Sequence, residues 1–154
     1  MFARIIFALV RFAARKGLAE EAAGAESRRD GQSARRTGVR GETYAYWYLR
    51  RHGYILIARN YTAPGIKGEI DLVGYDGPVL AFVEVKTRTG EREEFGRPED
   101  AVTPDKMHAL RRMARQFLME RHVQQAQCRF DVLAIESRAG QPPVVRLHKA
   151  AFSA

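Results

Sequence analysis

The segment 68–88 limits the folds open to this chain more than any other, because it has the pattern of a β-hairpin. Two apolar, β-branched runs, Glu69–Tyr75 and Val79–Thr87, flank the turn sequence Asp76–Pro78. Charged residues interrupt these runs: Asp71, Glu84 and Lys86. A charge inside so apolar a strand is costly unless it is paired, faces a cleft or binds a metal. The hairpin therefore predicts either an ion network or a functional site.

The register of this hairpin decides which of its charges meet. A loop at 76–79 sets Tyr75 opposite Leu80. Counting outward along both strands, Asp71 then faces Glu84, and directly opposed residues point to the same side of a sheet. A slip of one residue would place these two carboxylates on opposite faces. The predicted register therefore brings acidic side chains from neighbouring strands together.

The composition indicates one basic globular domain. The chain of 154 residues is long enough for a buried core. Its net charge of +8 and sequence pI of about 10.1 favour a polyanionic partner or an anionic membrane surface. Residues 1–40 hold nine Lys and Arg against four Asp and Glu, so part of the excess lies outside the domain. Cys128 is the single cysteine, which excludes an intrachain disulfide and suits a reducing cytoplasm.

The first forty residues differ from the rest of the chain. Residues 1–18 alternate apolar and basic side chains and predict a basic amphipathic helix that contacts a membrane or a partner, with a loosely packed chain start as the other interpretation. The apolar run Ile5–Val10 is shorter than the roughly twenty residues of a membrane span. Residues 19–40, rich in Ala, Gly, Ser and Arg, predict a flexible linker. Residues 41–154 form the predicted domain.

The domain has a single order of helix and strand patterns. Besides the hairpin, these are a helix at Glu42–His52, a strand at Tyr54–Asn60, a helix after Thr103, and strands at Arg129–Ser137 and Val144–His148. The second helix has an N-cap residue followed by proline, and the charged segment 90–100 predicts an exposed loop. The order α-β-β-β-α-β-β predicts an α/β fold with one mixed sheet of about five strands, in which the second helix makes the crossover.

The converging charges suit the chemistry of a divalent metal ion. Mg²⁺ prefers oxygen ligands, which Asp71 and Glu84 can supply, with the carbonyl of Val85 as a third. Lys86 lies on the same strand face as Glu84, where it would orient or deprotonate a water molecule and offset negative charge on a phosphodiester. The same register sets Glu69 opposite Lys86. A purely structural ion network is the alternative.

Two long sequence blocks carry a family resemblance: Gly68–Val73 (GEIDLV) and Phe82–Arg88 (FVEVKTR). Further marks of the same family are Gly41, Glu42, Arg59, Asn60, Gly96, Pro98, Lys106 and the run Phe130–Val132. Over residues 41–150 the chain resembles the YraN-like family of uncharacterised bacterial proteins, within the PD-(D/E)XK nuclease superfamily. That superfamily has the restriction-endonuclease-like fold and includes archaeal Holliday-junction resolvases. Asp…Glu-x-Lys alone is unspecific, whereas the two blocks together are specific.

The resemblance implies a metal centre and a catalytic lysine. Asp71 and Glu84 would be ligands of Mg²⁺ or Mn²⁺, and Lys86 would be catalytic. Resolvase relatives also use a glutamate on the first helix, which falls on Glu42 in this sequence. A favourable position in the first turn of the helix explains Glu42 equally well. Ile70 stands where the superfamily pattern has proline, a departure that removes no ligand.

Three further residues belong to the expected site. Glu69 would either contact the metal ligands without binding the ion itself or form an ion pair with Lys86. The ion pair is the favoured interpretation. Thr87 and Arg88 would contact nucleic-acid phosphates, although an exposed strand end explains them as well.

The predicted function is that of a cytoplasmic, metal-dependent endonuclease that hydrolyses DNA phosphodiester bonds, with branched DNA as one candidate substrate. The alternative is a noncatalytic nucleic-acid-binding module that kept the nuclease fold, and a third hypothesis is a membrane-associated adaptor acting through residues 1–18. The expected partner is DNA or another nucleic acid. Two coordinated cuts across a junction would suit a homodimer.

Overall fold

The computed structural model describes residues 6–12, 31–89, 102–138 and 141–153. Within these ranges the elements are α1 (6–12), α2 (Gly31–Arg51), β1 (Ile55–Tyr61), β2 (Ile70–Asp76), β3 (Val79–Thr89), α3 (Pro104–Glu120), β4 (Cys128–Ser137) and β5 (Val144–Phe152). The strands form one five-stranded sheet in the order β1-β2-β3-β4-β5, and α3 connects β3 to its neighbour β4. The predicted α/β class with a mixed sheet is confirmed, and the architecture is consistent with a restriction-endonuclease-like fold.

The β2–β3 hairpin pairs in the register expected from its turn. The strands are antiparallel, Tyr75 is the partner of Leu80, and the pairing continues outward to Leu72 and Val83. Gly77 adopts a φ of 60° in the turn, a left-handed conformation that a residue without a Cβ atom tolerates at little cost. The predicted register is therefore confirmed over these pairs.

The described elements group into two compact units. One contains α1, α2, the end of β3 from Val85, and the described part of Leu133–Leu147. The other contains Gly53–Glu84, the described part of Phe95–Val132, and the end of β5 from His148.

In the second unit, an apolar core forms where α3 packs on the strands. Leu110, Met113 and Phe117 of α3 are buried in it together with Phe82 and Phe130. The Phe82 ring lies 5.8 Å from that of Phe117 and 5.5 Å from that of Phe130. Burying each of these rings contributes on the order of 1.5–3 kcal/mol to stability. The apolar face predicted for this helix is thus the face that α3 buries.

The N-terminus of α3 begins as the sequence predicts. Thr103 is the N-cap residue, and its side chain accepts a hydrogen bond from the backbone N–H of Lys106 at 3.3 Å. Pro104 occupies the first helical position, where its missing N–H costs nothing. Asp105 follows in the first turn, where a negative charge is favourable.

Helix α2 is longer than predicted. It begins at Gly31 instead of Glu42, so the last part of the predicted linker, residues 31–40, is helical. The added segment has no acidic residue in its first turn and several residues of low helix propensity, so the usual sequence signals of a helix start are missing. Residues 19–30, also predicted as linker, lie outside the described residues, as does the predicted loop 90–100.

The described part of the N-terminal segment packs on α2 within the first unit. Phe7 is buried, with its ring 5.4 Å from that of Tyr44 and 6.1 Å from that of Tyr48. Leu9 and Phe12, which belong to α1 like Phe7, are exposed. No helix in the described ranges is both long and apolar enough to cross a membrane. Contact of residues 1–18 with a membrane or a partner stays a prediction, since 1–5 and 13–18 lie outside the described residues.

Helix α2 and the end of β3 approach each other closely at Gly41. A Cβ atom at this position would lie 1.8 Å from the Thr87 hydroxyl oxygen, far inside van der Waals contact. Glu42 follows directly in the chain. The absence of a side chain at Gly41 therefore sets how close the helix carrying Glu42 can come to β3.

A polar network in the second unit joins strand ends that are distant in sequence. Asp131 is fully buried and accepts hydrogen bonds from the Tyr54 hydroxyl at 3.1 Å and from Arg129 Nε at 2.8 Å. Arg129 also donates to Asp76 at 2.5 Å, and Lys149 donates to the same carboxylate at 2.6 Å. Burial, together with the Asp131 carboxylate, raises the pKa of Tyr54, which keeps its hydroxyl a donor. The network therefore connects β2, β4 and β5 with Tyr54, the residue directly before β1.

Replacement of Gly41 tests the close approach of α2. We expect Gly41→Ala to lower the free energy of unfolding by about 1–3 kcal/mol, because the new methyl group must displace Thr87 or the helix. Gly38→Ala is the control, since a Cβ there meets nothing within 4 Å, and it should raise stability by about 0.5–1 kcal/mol. Urea unfolding monitored by circular dichroism measures both, and equal effects of the two substitutions would contradict the packing.

Acid titration tests the network at Asp76. Hydrogen bonds from Lys149 and Arg129 lower the pKa of Asp76 below its usual 3.8, so its contribution is complete above that pH and is lost as the pH falls through the folded-state pKa. We expect Asp76→Asn to be less stable than the wild type at pH 7, and the gap to narrow below about pH 4. Urea unfolding between pH 7 and pH 3 measures the gap, and a gap of constant size would contradict the assignment.

Candidate metal centre

Two buried carboxylates occur on the paired strands β2 and β3. Asp71 is 8% exposed and Glu84 is 4% exposed. The strand pairs include Leu72 with Val83, and continuing this register by one step would set Asp71 opposite Glu84. Glu84 shares a strand face with Phe82, because side chains alternate along a strand. The pairing of Asp71 with Glu84 and the assignment of the two as metal ligands stay predictions.

Two carboxylates lie together at the start of β2, within the second unit. Single carboxylate oxygens of Glu69 and Asp71 lie within 4.8 Å of each other. Glu69 directly precedes β2, and Asp71 is the second residue of that strand. Carboxylate oxygens are the donors that hard divalent cations such as Mg²⁺ prefer, so this acidic pair is able to bind a metal ion. Glu42 lies on α2 in the first unit, and its role at the site stays a prediction.

The acidic pair differs in membership from the ligand pair expected from sequence. The hairpin pattern joined Asp71 to Glu84 across neighbouring strands, whereas the acidic pair joins Asp71 to Glu69. Glu42 was expected at the site because of the family resemblance alone. Glu69 was expected to pair with Lys86, but β2 begins at Ile70, so Glu69 lies outside the described strand pairing and that ion pair stays a prediction.

A lysine that the sequence reasoning did not assign to the site contacts Glu84 directly. Lys106 Nζ lies 3.3 Å from Glu84 Oε2 and donates a hydrogen bond to the backbone carbonyl of Glu69 at 3.2 Å. Lys106 belongs to the first turn of α3, where a cation opposes the helix dipole. A lysine at a helix position that disfavours a positive charge is a sequence signal, and it could have identified Lys106 as a candidate site residue.

The remaining predicted site residues lie on the second half of β3. Lys86 is half-buried and, by alternation, shares a strand face with Glu84. Thr87 is half-buried, and its hydroxyl packs against α2 at Gly41. This packing contact gives the Thr87 side chain a structural role. Arg88 is exposed near the strand end. Contact of Thr87 and Arg88 with phosphate and the catalytic role of Lys86 stay predictions.

The stability of Asp71→Asn tests whether the carboxylates repel one another. We expect this variant to be as stable as the metal-free wild type or more stable, because it removes one of two neighbouring negative charges, those of Glu69 and Asp71. Asp131→Asn is the matched control and should lose about 3–5 kcal/mol, since it removes the charge partner of Arg129 from a fully buried position. Urea unfolding in EDTA measures both, and a loss of roughly 3 kcal/mol for Asp71→Asn would indicate a structural ion network.

Comparison with known proteins identifies relatives over most of the domain. A sequence model of the uncharacterised protein family UPF0102 matches residues 41–135, a stretch that contains both hairpin strands and α3. A UPF0102 protein of Koribacter versatilis is 40% identical over 117 residues, which is 76% of this chain and 79% of that protein. A UPF0102 protein of Symbiobacterium thermophilum is 46% identical over 103 residues, 67% of this chain and 84% of that protein. The chain therefore belongs to the uncharacterised protein family UPF0102.

Proposed function

We propose that this protein is a metal-dependent endonuclease that hydrolyses DNA phosphodiester bonds. The observation that carries the proposal is the group of carboxylates in the second unit: Asp71 with Glu69 beside it, and buried Glu84 on the next strand. Carboxylate oxygens held close together are the donors that a hard divalent cation binds. The restriction-endonuclease-like architecture is consistent with this activity.

The acidic residues form the part of the site that would hold the metal. Asp71 and Glu69 offer oxygens close to each other, and Glu84 adds a further carboxylate. The family resemblance adds Glu42 as a predicted member of the site. Mg²⁺ or Mn²⁺ fits this donor set. When bound, the ion supplies Lewis-acid polarisation of the phosphate and lowers the pKa of water.

The lysine and the strand end would act on the substrate. Lys86 shares a strand face with Glu84, so its ammonium group would orient the attacking water molecule and offset charge that develops on the phosphate. Thr87 and Arg88, next along β3, would contact adjacent phosphates and position the strand. The net charge of +8 supports attraction to a polyanion, and binding should weaken steeply with salt.

Cleavage assays with matched variants test the proposal. We expect the wild type to cut at least one of duplex, single-stranded and four-way DNA in Mg²⁺ or Mn²⁺, and EDTA to stop the reaction. Lys86→Ala should slow cleavage by about 10²–10⁴-fold, the usual contribution of a positioned acid–base group. Lys67→Ala, which removes an exposed lysine from the loop before β2, should leave the rate unchanged.

Two results would contradict this function. Equal rates for the wild type and Asp71→Asn would mean that any cutting comes from a contaminant or another site. Absence of cutting, combined with salt-dependent DNA binding that needs no divalent ion and survives Glu84→Gln, would favour the noncatalytic nucleic-acid-binding module that the positive charge also supports.

A further inference from the structure

Lys106 links the two strands that carry the acidic residues. Its ammonium nitrogen lies 3.3 Å from Glu84 Oε2 on β3 and donates to the Glu69 carbonyl, directly before β2, at 3.2 Å. The Lys106 side chain is 28% exposed and that of Glu84 only 5%, so this ion pair is largely shielded from water. The attraction within a shielded ion pair is screened less by water and salt than the attraction within a surface pair.

The position of Lys106 in its helix has no local explanation. It is the third residue of α3, after Pro104 and Asp105, where the positive end of the helix dipole disfavours a cation. The cap formed by Thr103 needs only the backbone N–H of residue 106, so any non-proline side chain would serve there. The contacts of the ammonium group with Glu84 and Glu69 are therefore what distinguishes lysine from other residues at this position.

We propose that Lys106 is a positioning residue of the metal centre. By holding Oε2 of Glu84 and the carbonyl of Glu69 together, it fixes the orientation of one carboxylate and the backbone from which two others branch, those of Glu69 and Asp71. Neighbouring groups that contact metal-ligating residues without binding the ion orient those ligands in this way in metalloproteins generally. This inference rests on the proposed function, because it takes Asp71 and Glu84 as metal ligands.

The direction in which metal affinity changes when the Lys106 ammonium group is removed distinguishes positioning of the carboxylates from simple charge competition with the metal ion. If the ammonium group only competed with a metal ion for the carboxylates, removing it would strengthen metal binding, since a nearby positive charge would be lost. If it holds the carboxylates in place, removing it weakens binding, because the ligands must then be ordered by the metal itself.

Titration of Mn²⁺ into the full-length protein, followed by isothermal calorimetry, makes this measurement without relying on activity. We expect Lys106→Met, which keeps the length of the side chain and removes its charge, to bind Mn²⁺ about 10–100-fold more weakly than the wild type. Lys106→Arg should recover part of the affinity, because it restores the positive charge. Arg112→Met is the control for loss of one charge from an exposed position of α3 and should bind within about twofold of the wild type.

The outcomes distinguish this inference from the function on which it rests. Mn²⁺ binding by Lys106→Met that equals or exceeds wild-type binding overturns the positioning role and leaves the metal centre intact. Absence of Mn²⁺ binding by the wild type overturns both. If Lys106→Met does not fold, Lys106→Leu, which also lacks both the charge and the N–H donors, replaces it, and the same weakening is required. A thermal melt in EDTA confirms that each variant used is folded.

Discussion

The antiparallel pairing of β2 with β3 is the interaction on which the rest of the structure depends. Its register, from Tyr75–Leu80 outward, decides which side chains of the buried stretches Ile70–Gly74 and Leu80–Glu84 face α3. Continued by one step beyond Leu72–Val83, the register would set Asp71 opposite Glu84, because alternation applies to charged and apolar residues alike. A slip by one residue would send Phe82 to the wrong face and separate the carboxylates at the same time. The core and the candidate site are thus two results of one hydrogen-bonding pattern.

Helix α3 serves the core and the candidate site with different turns. Met113 and Phe117, in its middle and final turns, are buried in the apolar core, whereas Lys106 in its first turn contacts Glu84. Thr103 and Pro104 define where the helix begins and hence where Lys106 lies. A start one turn later would leave the apolar face intact and remove the cation from the carboxylates, because one turn advances the helix by 5.4 Å. The capping residues therefore matter for the site as well as for the helix.

Two buried aspartates show that burial alone does not reveal a functional acid. Asp131 and Asp71 each interrupt an apolar strand. Asp131 accepts hydrogen bonds from Tyr54 and Arg129, which is the environment of an acid that stabilises the fold. Asp71 has a carboxylate oxygen within 4.8 Å of one of Glu69, an arrangement that suits a bound cation. Burial and the interruption of an apolar strand are common to Asp71 and Asp131, so neither feature distinguishes the two residues.

The hairpin, its register as far as Leu72–Val83, the cap at Thr103 and the α/β class follow from local sequence patterns, because turn residues, alternation and helical spacing are properties of neighbouring residues. The extension of α2 back to Gly31 and the contact of Lys106 with Glu84 became visible in the folded structure alone. These features join segments tens of residues apart or lack a local signal. They follow from how helices pack on the sheet, which spacing along the chain does not specify.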